Sequence, residues 1–351
     1  MKTGAIRDGD SEEKAIEYAN SEIDNYAPVP WCGYIDWDKI LFKRGNHQTY
    51  EFSVRGGTDK FSYYSSISYL DQKGLSARSA LGRISGRVNV DYKATDKLTL
   101  GANILFAVVN QDVYSEGTSY TAPFYASRNC VVPSDAVYNQ DGSWNRDFIR
   151  NSDRNPLLSS TYDYHKEQVT RTFNTLYGEY EFIKNLKFKT TLSYDLTNTK
   201  GVVWWDPRTS NGDDINGGLT KSYDEYKKLV WANQLSYKFN VAERHHFDIL
   251  AGYEIDNQYS DYLSAETSNF ATPDKQAIGN GMTLESIGGH DKNSRMVSYL
   301  SRLNYDFDNK YYIGGSFRVD GSSRLERKNR WGTFWSVSAA WRIAAENFMA
   351  D

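Results

Sequence analysis

The segment from Arg330 to Ile343 alternates between two kinds of side chain with a period of two residues. One set of positions is apolar or aromatic and the other is small or polar: Trp335, Val337, Ala339, Trp341 and Ile343 against Ser336, Ser338, Ala340 and Arg342. Because successive side chains of a β-strand point to opposite faces, the pattern predicts a strand whose two faces meet different surroundings.

The same alternation recurs along the chain and predicts eleven strands. They cover residues 47–56, 60–71, 80–93, 97–111, 166–182, 186–199, 222–239, 244–260, 294–307, 310–320 and 331–343. The strand at 166–182 alternates less regularly than the others. Residues 1–46 form a polar lead-in, in which Asp10 and Glu13 predict a capping box at the start of a short helix. The sheet is expected to occupy residues 47–351.

Tight turns and long loops alternate between these strands. In an antiparallel meander alternate connections lie at opposite ends, so the tight turns are expected at one end and the long loops at the other. Several strands span about 13–17 residues, whereas globular strands usually span about 5–6. The fold class predicted is all-β: an antiparallel up-and-down meander forming part of a transmembrane β-barrel. A soluble up-and-down barrel with its apolar face inward is the alternative.

Composition supports the membrane alternative. The chain of 351 residues has 27 Tyr and 9 Trp, although its mean hydropathy is only -0.67. Only one face of each barrel strand touches lipid, so such a chain is polar on average and rich in aromatic residues. No run approaches the ~18 apolar residues of a spanning helix. The net charge of -4 gives no basic field for nucleic acid.

On this interpretation the apolar face meets lipid and the polar face meets a water-filled interior. Arginines recur on the polar face and are expected to face the lumen: Arg83, Arg87, Arg302, Arg318 and Arg342. Aromatic residues near strand ends suit the two membrane–water interfaces, and five are expected there: Tyr305, Tyr311, Tyr312, Trp331 and Trp335.

Catalytic motifs are absent from the sequence. None of the five histidines has a His-x-x-x-His spacing, no Cys-x-x-Cys pair occurs, and no Gly-x-Ser-x-Gly elbow is present. We therefore expect neither an enzyme nor a cofactor or metal site. Cys32 and Cys130 are too few for a disulfide scaffold, and whether they pair is left open.

Two tryptophan-containing segments are candidates for substrate binding. Trp204 and Trp205 lie beside Asp206 in a predicted long loop, and Trp144 lies in another. Aromatic faces beside a carboxylate suit sugar rings, through stacking and hydrogen bonds to hydroxyl groups. The alternative is that these tryptophans pack the loops onto the rim of the barrel.

Two stretches resemble the SusC/RagA-type TonB-dependent transporters of Gram-negative outer membranes. The resemblance covers most of 31–110 and 294–349. The first stretch has an Asp-Trp-x-x-x-Leu-Phe motif from Asp36, then Ser-Val-x-Gly-Gly from Ser53 and Tyr-Leu-Asp-Gln-x-Gly from Tyr69. The second matches at Tyr299, Arg302, Asn304, Tyr305, Arg318, Asp320, Gly321, Ser322, Ser323, Arg324, Arg330, Trp331, Gly332, Ser336, Val337, Ser338, Ala339, Trp341 and Arg342. The family usually has Pro where Trp335 stands.

The resemblance implies a barrel of ~22 strands, of which this chain supplies about 11. Family members also have a signal peptide and a plug domain, which are expected to be absent from this sequence. The intact protein would lie in the bacterial outer membrane, in contact with its lipid. It would import glycans or peptides with energy from TonB, acting through the missing plug segment, and a SusD-like surface lipoprotein would cap it. Interior arginines would pair with plug carboxylates or line the solute path.

The resemblance also bears on what the chain can do alone. An odd, half-sized set of strands cannot close into a barrel, so the chain by itself is not expected to transport. Two alternatives to an importer stay open from the sequence: a soluble carbohydrate-binding β domain and a simple diffusion porin.

Overall fold

One antiparallel sheet of eleven strands dominates the structure, a computed structural model that describes residues 11–26, 35–76, 78–113, 122–148 and 154–349. Each strand pairs with its neighbours in sequence, so the sheet is an uninterrupted meander with β1 and β11 at its edges. This confirms the predicted fold class. The strands are β1 Asn46–Gly57, β2 Phe61–Lys73, β3 Ala80–Lys93, β4 Leu98–Val113, β5 Tyr164–Ile183, β6 Leu186–Trp205, β7 Gly218–Val241, β8 His245–Phe270, β9 Gly281–Phe307, β10 Tyr311–Ser322 and β11 Trp331–Trp341.

Short helices accompany the sheet. They are α1 Glu12–Tyr26, α2 Trp37–Leu41, α3 Pro123–Tyr125, followed by a π-helical turn at Ala126–Cys130, and α4 Pro156–Tyr162. Single 3₁₀ turns lie at Ile278–Asn280, Arg327–Asn329, Ile343–Ala345 and Asn347–Met349. A helix was predicted where α1 lies, but Asp10, its predicted cap, is outside the described residues. Within the described ranges, no helix has both the length and the apolar character required to cross a membrane.

The connections divide between the two ends of the sheet as predicted. At one end, which we call the tight-turn end, the turns are 58–60, 94–97, 184–185, 242–244 and 308–310. At the other, the long-loop end, the connections are 74–79, 114–163, 206–217, 271–280 and 323–330. Such an asymmetry is typical of outer-membrane barrels, which have short periplasmic turns and longer extracellular loops.

Cross-strand register makes the apolar face continuous. Leu192 of β6 lies opposite Leu176 of β5 on one side and Trp231 of β7 on the other, and Trp231 lies opposite Ile255 of β8. Residues directly opposite each other share a face, so apolar residues of neighbouring strands form rows across the sheet. Many side chains of these rows are exposed, from 43 % for Leu192 to 74 % for Trp335, and Ile255 is half-buried. A soluble barrel would instead bury them in a common core.

An aromatic ladder crosses the apolar face at the tight-turn end. Ring centroids of successive members lie 4.9–6.4 Å apart from β7 to β11: Tyr237, Phe239, Phe247, Tyr305, His245, Phe307, Tyr311 and Trp341. Amphipathic rings favour the membrane–water interface, so the ladder marks one boundary of the apolar band. The expectation for Tyr312 was wrong, because it lies opposite Asp306 and Ala340 on the polar face.

Candidate functional site

The long-loop end contains two buried hydrophobic clusters of the described residues. In the first, α2 packs against the connection between β4 and β5, and the cluster comprises Trp37, Leu41, Val131 and Phe148. The Trp37 indole lies 5.3 Å from the Phe148 ring and donates a hydrogen bond of 3.2 Å to the Asp135 carbonyl. Within the described part of the lead-in, α2 is therefore folded onto the connection between β4 and β5.

The second cluster contains Trp204, Leu219 and Phe270. Trp204 and Trp205 were expected in a loop, which was wrong: both belong to β6, and Trp204 lies opposite Tyr164 and Leu219. The Trp204 side chain is completely buried, 5.0 Å from the Phe270 ring in an edge-to-face contact. Neither face of this indole is open to a ligand in this conformation, whereas Trp205 is half-buried.

Asp206 is a buried carboxylate that joins Trp204 to the β6–β7 loop. It accepts a hydrogen bond of 3.3 Å from the Trp204 indole and two from the Arg208 guanidinium, at 2.7 Å from Nε and 2.9 Å from Nη2. Burial opposes ionisation, but these donors outweigh it and hold the pKa of Asp206 below its ordinary value. The bidentate pair fixes the start of the loop.

Asp163 joins the same loop to the end of α4. Its carboxylate accepts hydrogen bonds from the Asp206 amide at 2.8 Å, the Thr209 hydroxyl at 2.9 Å and the Asn211 amide at 2.8 Å. Burial raises the pKa of Asp163 to about 6, and these donors lower it only part of the way back. The loop between β6 and β7 is thus held by two acidic side chains that lie close together.

Trp144 reaches this loop through a chain of contacts. Its ring lies 4.7 Å from Tyr138 and 6.2 Å from Tyr162, and the Arg208 guanidinium lies 3.7 Å above the Tyr162 ring. We call the connected set the rim cluster: Tyr138, Trp144, Tyr162, Asp163, Trp204, Asp206, Arg208 and Thr209. The structure thus connects all the predicted binding residues except Trp205, which adjoins Trp204 in β6.

Several members of the rim cluster carried no signal in the sequence. Tyr162 and Asp163 lie more than forty positions before Asp206, and only the pairing of β5 with β6 brings them together. Arg208 had a local signal, since it stands two residues after Asp206 and can reach back to it. Within the cluster, Tyr138 is exposed, at 48 %, and Trp144 and Tyr162 are half-buried. Because Arg208 lies over the Tyr162 ring, Tyr138 and Trp144 are the rings available to a ligand.

The cross-strand register also shows whether the arginines that were predicted to face the lumen lie on one face of the sheet. Following the paired positions across the sheet, Arg83, Arg87, Arg302 and Arg318 all lie on the polar face, opposite the apolar rows. Arg342 follows β11 and continues its pairing through a backbone hydrogen bond of 2.8 Å to the Lys310 carbonyl.

The polar-face arginines differ in their partners. Arg318 pairs with Asp320 at 2.7 Å, approaches Glu254 at 3.7 Å and donates to the Ser298 hydroxyl at 3.0 Å. Among the described residues, Arg83 and Arg302 have no ion-pair or side-chain hydrogen-bond partner, and the same holds for Arg87. The polar face of the sheet therefore carries three arginines whose guanidinium N–H groups have no side-chain partner among the described residues.

Metal ligands and cysteine thiols are the other reactive groups to consider in the described ranges. They contain no group of three or more His, Cys, Asp or Glu side chains arranged to hold a metal ion. Cys130 is buried, which raises the pKa of its thiol. Cys32 lies outside the described residues, so the question whether the two cysteines pair, which the sequence left open, is not tested.

The meander has one apolar face and one charged face, with an aromatic ladder at the tight-turn end and folded loops at the other end. Together these features define a section of the wall of a transmembrane β-barrel.

No family model matches the chain. The chain is 26% identical over 349 residues to TonB-dependent receptor P3 of Formosa agariphila, covering 97% of this chain and 34% of that protein. It is 24% identical over 345 residues to the TonB-dependent receptor SusC of Bacteroides thetaiotaomicron, covering 90% and 33%.

A solved structure shows the same fold. The chain matches the structure of the RagAB peptide transporter with a TM-score of 0.81 at 23% identity, covering 98% of this chain and 41% of that chain. The resemblance to SusC/RagA-type TonB-dependent transporters is confirmed, and the relatives named here are receptors and transporters rather than enzymes. The chain spans about a third of the length of the curated relatives it matches.

Proposed function

We propose that this chain forms part of the barrel wall of a TonB-dependent outer-membrane importer for large nutrients, either glycans or peptides. The observation that carries the proposal is the apolar face that runs through all eleven strands. Similarity to SusC and to the RagAB transporter along nearly the whole chain supports it. The apolar band would face lipid, and the polar face would line the aqueous interior.

The partners proposed for the intact importer act at opposite ends of the wall. A SusD-like surface lipoprotein would cover the long-loop end, where the two hydrophobic clusters hold the loops in a defined shape. A defined loop surface lowers the ordering cost of binding a partner. TonB would act at the other end, through a plug segment of the intact importer.

The unpaired arginines support a role for the polar face in holding a plug. Arg83, Arg87 and Arg302 lack carboxylate partners in the described wall, and a guanidinium presents a fork that matches a carboxylate. We propose that plug carboxylates complete these pairs in the intact importer, whereas Arg318 is already neutralised by the wall itself.

Substrate contact is proposed at the rim cluster. Trp144 would offer a ring face to a sugar or to an apolar peptide side chain, with Tyr138 beside it. Trp205 would be a second contact. Trp204 and Asp206 would support these rings from below, since both are buried.

Uptake by the intact importer tests the proposal. Deleting the coding region for this chain from its gene should abolish uptake of one labelled class, oligosaccharides or peptides, in the native host. Collapsing the inner-membrane proton gradient should have the same effect, because import through a plugged barrel needs energy. Uptake that survives collapse of the gradient would indicate a diffusion porin instead, and unchanged uptake of both classes after the deletion would contradict the proposal.

A further inference from the structure

Three lysines form a group on the apolar face of the sheet, near its long-loop end. Lys166 of β5 and Lys221 of β7 both lie opposite Val202 of β6, on either side of it. Lys200 lies two positions before Val202 on the same face of β6, opposite Gln168 and Tyr223. We call these three residues the lysine triad. All three side chains are exposed.

The height of the triad follows from strand geometry. Apolar residues on this face of β6 run from Leu186 to Leu196 and then give way to Asn198. Ten residues at ~3.3 Å each, on a strand tilted by ~40°, rise ~25 Å, which is the height of the lipid-facing band of an outer-membrane barrel. Lys200 stands four residues further, so the triad lies just above the band, at the level of lipid headgroups.

The side chains around the triad support this boundary. Between β4 and β7 this face carries more polar side chains, although Val202 lies between the lysines, with hydrogen bonds of 2.9 Å from Gln168 to Asn110 and from Tyr223 to Asn198. Lysine stems can lie along apolar surface while their ammonium groups stay in a polar layer. The ammonium of Lys166 makes a cation–π contact, since its Nζ lies 5.2 Å from the centre of the Tyr164 ring.

The charge of the triad is not neutralised by the wall. Among the described residues none of the three lysines has a carboxylate within ion-pair distance, although Asp112 lies opposite Lys166 on β4. Glu225, the next carboxylate on this face of β7, is paired with Lys227 at 2.5 Å. A shallow concavity of about 460 Å³ lies beside Lys166 and Lys200, with Asp112 and Glu167 also in its lining, and it has room for a bulky headgroup.

We propose that the lysine triad binds the phosphorylated headgroup of a lipid in the leaflet at the long-loop end. The ammonium groups meet the phosphate, and the acyl chains lie along the apolar rows directly below. This arrangement favours a lipid over free phosphate, because only a lipid uses both surfaces. Each lysine near a membrane surface contributes about fivefold in affinity, so three together contribute on the order of a hundredfold at low salt.

Native mass spectrometry of the full chain in detergent tests the site, with diphosphoryl lipid A and phosphatidylcholine added as probes. The chain should retain the phosphorylated lipid in preference to the neutral one. The triple variant K166Q/K200Q/K221Q should lose most of that preference, on the order of a hundredfold at low salt. The variant K166R/K200R/K221R should keep it, because the charges stay in place.

A matched control removes three exposed lysines at the tight-turn end, K60Q/K93Q/K184Q, and changes the net charge equally. It should leave the lipid preference intact. Equal loss in the control would overturn the proposal, since bulk charge would then explain the binding. Displacement of the lipid by inorganic phosphate at equal concentration would overturn the assignment to a lipid, and so would an unchanged preference in the glutamine variant. Matching circular dichroism spectra would show that the variants fold alike.

Discussion

Replacing Trp204 by alanine should open the β6–β7 loop while leaving the sheet intact. The indole is completely buried, and removing a buried Trp typically costs about 3–5 kcal/mol through lost burial and a residual cavity. The substitution also removes the hydrogen bond to the buried Asp206 carboxylate, which adds about 1–2 kcal/mol. Together we expect a loss of about 4–7 kcal/mol, concentrated where Trp204 packs on Leu219 and Phe270.

Trp205 provides the matched control because it is the same residue type at the next position of β6 but only half-buried. Trp205→Ala should cost roughly 1–2 kcal/mol, in proportion to the smaller area it covers. Hydrogen exchange of detergent-solubilised protein, resolved by peptide, measures the difference: residues 206–217 should exchange far faster in W204A than in W205A, with β1–β3 unchanged. Equal protection in both variants would refute the assignment of Trp204 as the residue that holds this loop.

Three further predictions concern the faces and the loop. Val337→Lys should reduce insertion into lipid by about 2–4 kcal/mol, whereas Ser338→Lys, on the polar face, should be nearly neutral in the same vesicle-partitioning assay. The pKa of Asp163 in the folded loop is above its ordinary value, so protonation of Asp163 stabilises the folded loop. Protection of the β6–β7 loop against hydrogen exchange should therefore rise as pH falls from 7 towards 4, by roughly 3 kcal/mol once Asp163 is fully protonated. Asp163→Asn should remove that pH dependence of hydrogen exchange, and a loop that loosens on acidification would contradict the sign. Gly101→Ala should cost about 1–3 kcal/mol in urea unfolding, because its Cβ would overlap an aromatic ring of β5, whereas Gly86→Ala, with its nearest neighbour at 3.9 Å, should cost less.

The eleven strands were predictable because lipid and water impose a period of two on the sequence. Wherever one face of a strand meets the apolar band, each second residue must be apolar, and the alternation fixes both the strand and its register. The ends of β6 to β9 were not predictable in the same way. Directly after Leu196, residues 197–200 of β6 are polar on both faces, yet the strand continues to Trp205. Backbone pairing with its neighbours, rather than side-chain pattern, sustains it there.

The rim cluster shows a second limit of prediction from sequence. Trp144, Trp204 and Asp206 were identifiable as aromatic and acidic residues outside the alternating pattern. Their arrangement depends on contacts across long separations, such as the bonds that Asp163 accepts from the β6–β7 loop. No local period encodes such contacts. Residue type therefore selected the candidate side chains, whereas the pairing of the strands determines which of them meet.

The sheet and the rim cluster gain their stability from different surroundings. The described hydrophobic clusters both lie at the long-loop end, and there the side chains are buried by protein. The rows that include Trp335 and Val337 have no protein cover, with exposures of 74 % and 72 %. Apolar surface contributes about 25 cal/mol per Å² when it is removed from water, so these rows stabilise the wall only where lipid replaces water. The β6–β7 loop can hold its shape in water because protein already covers Trp204, whereas the apolar rows of the sheet need lipid to cover them.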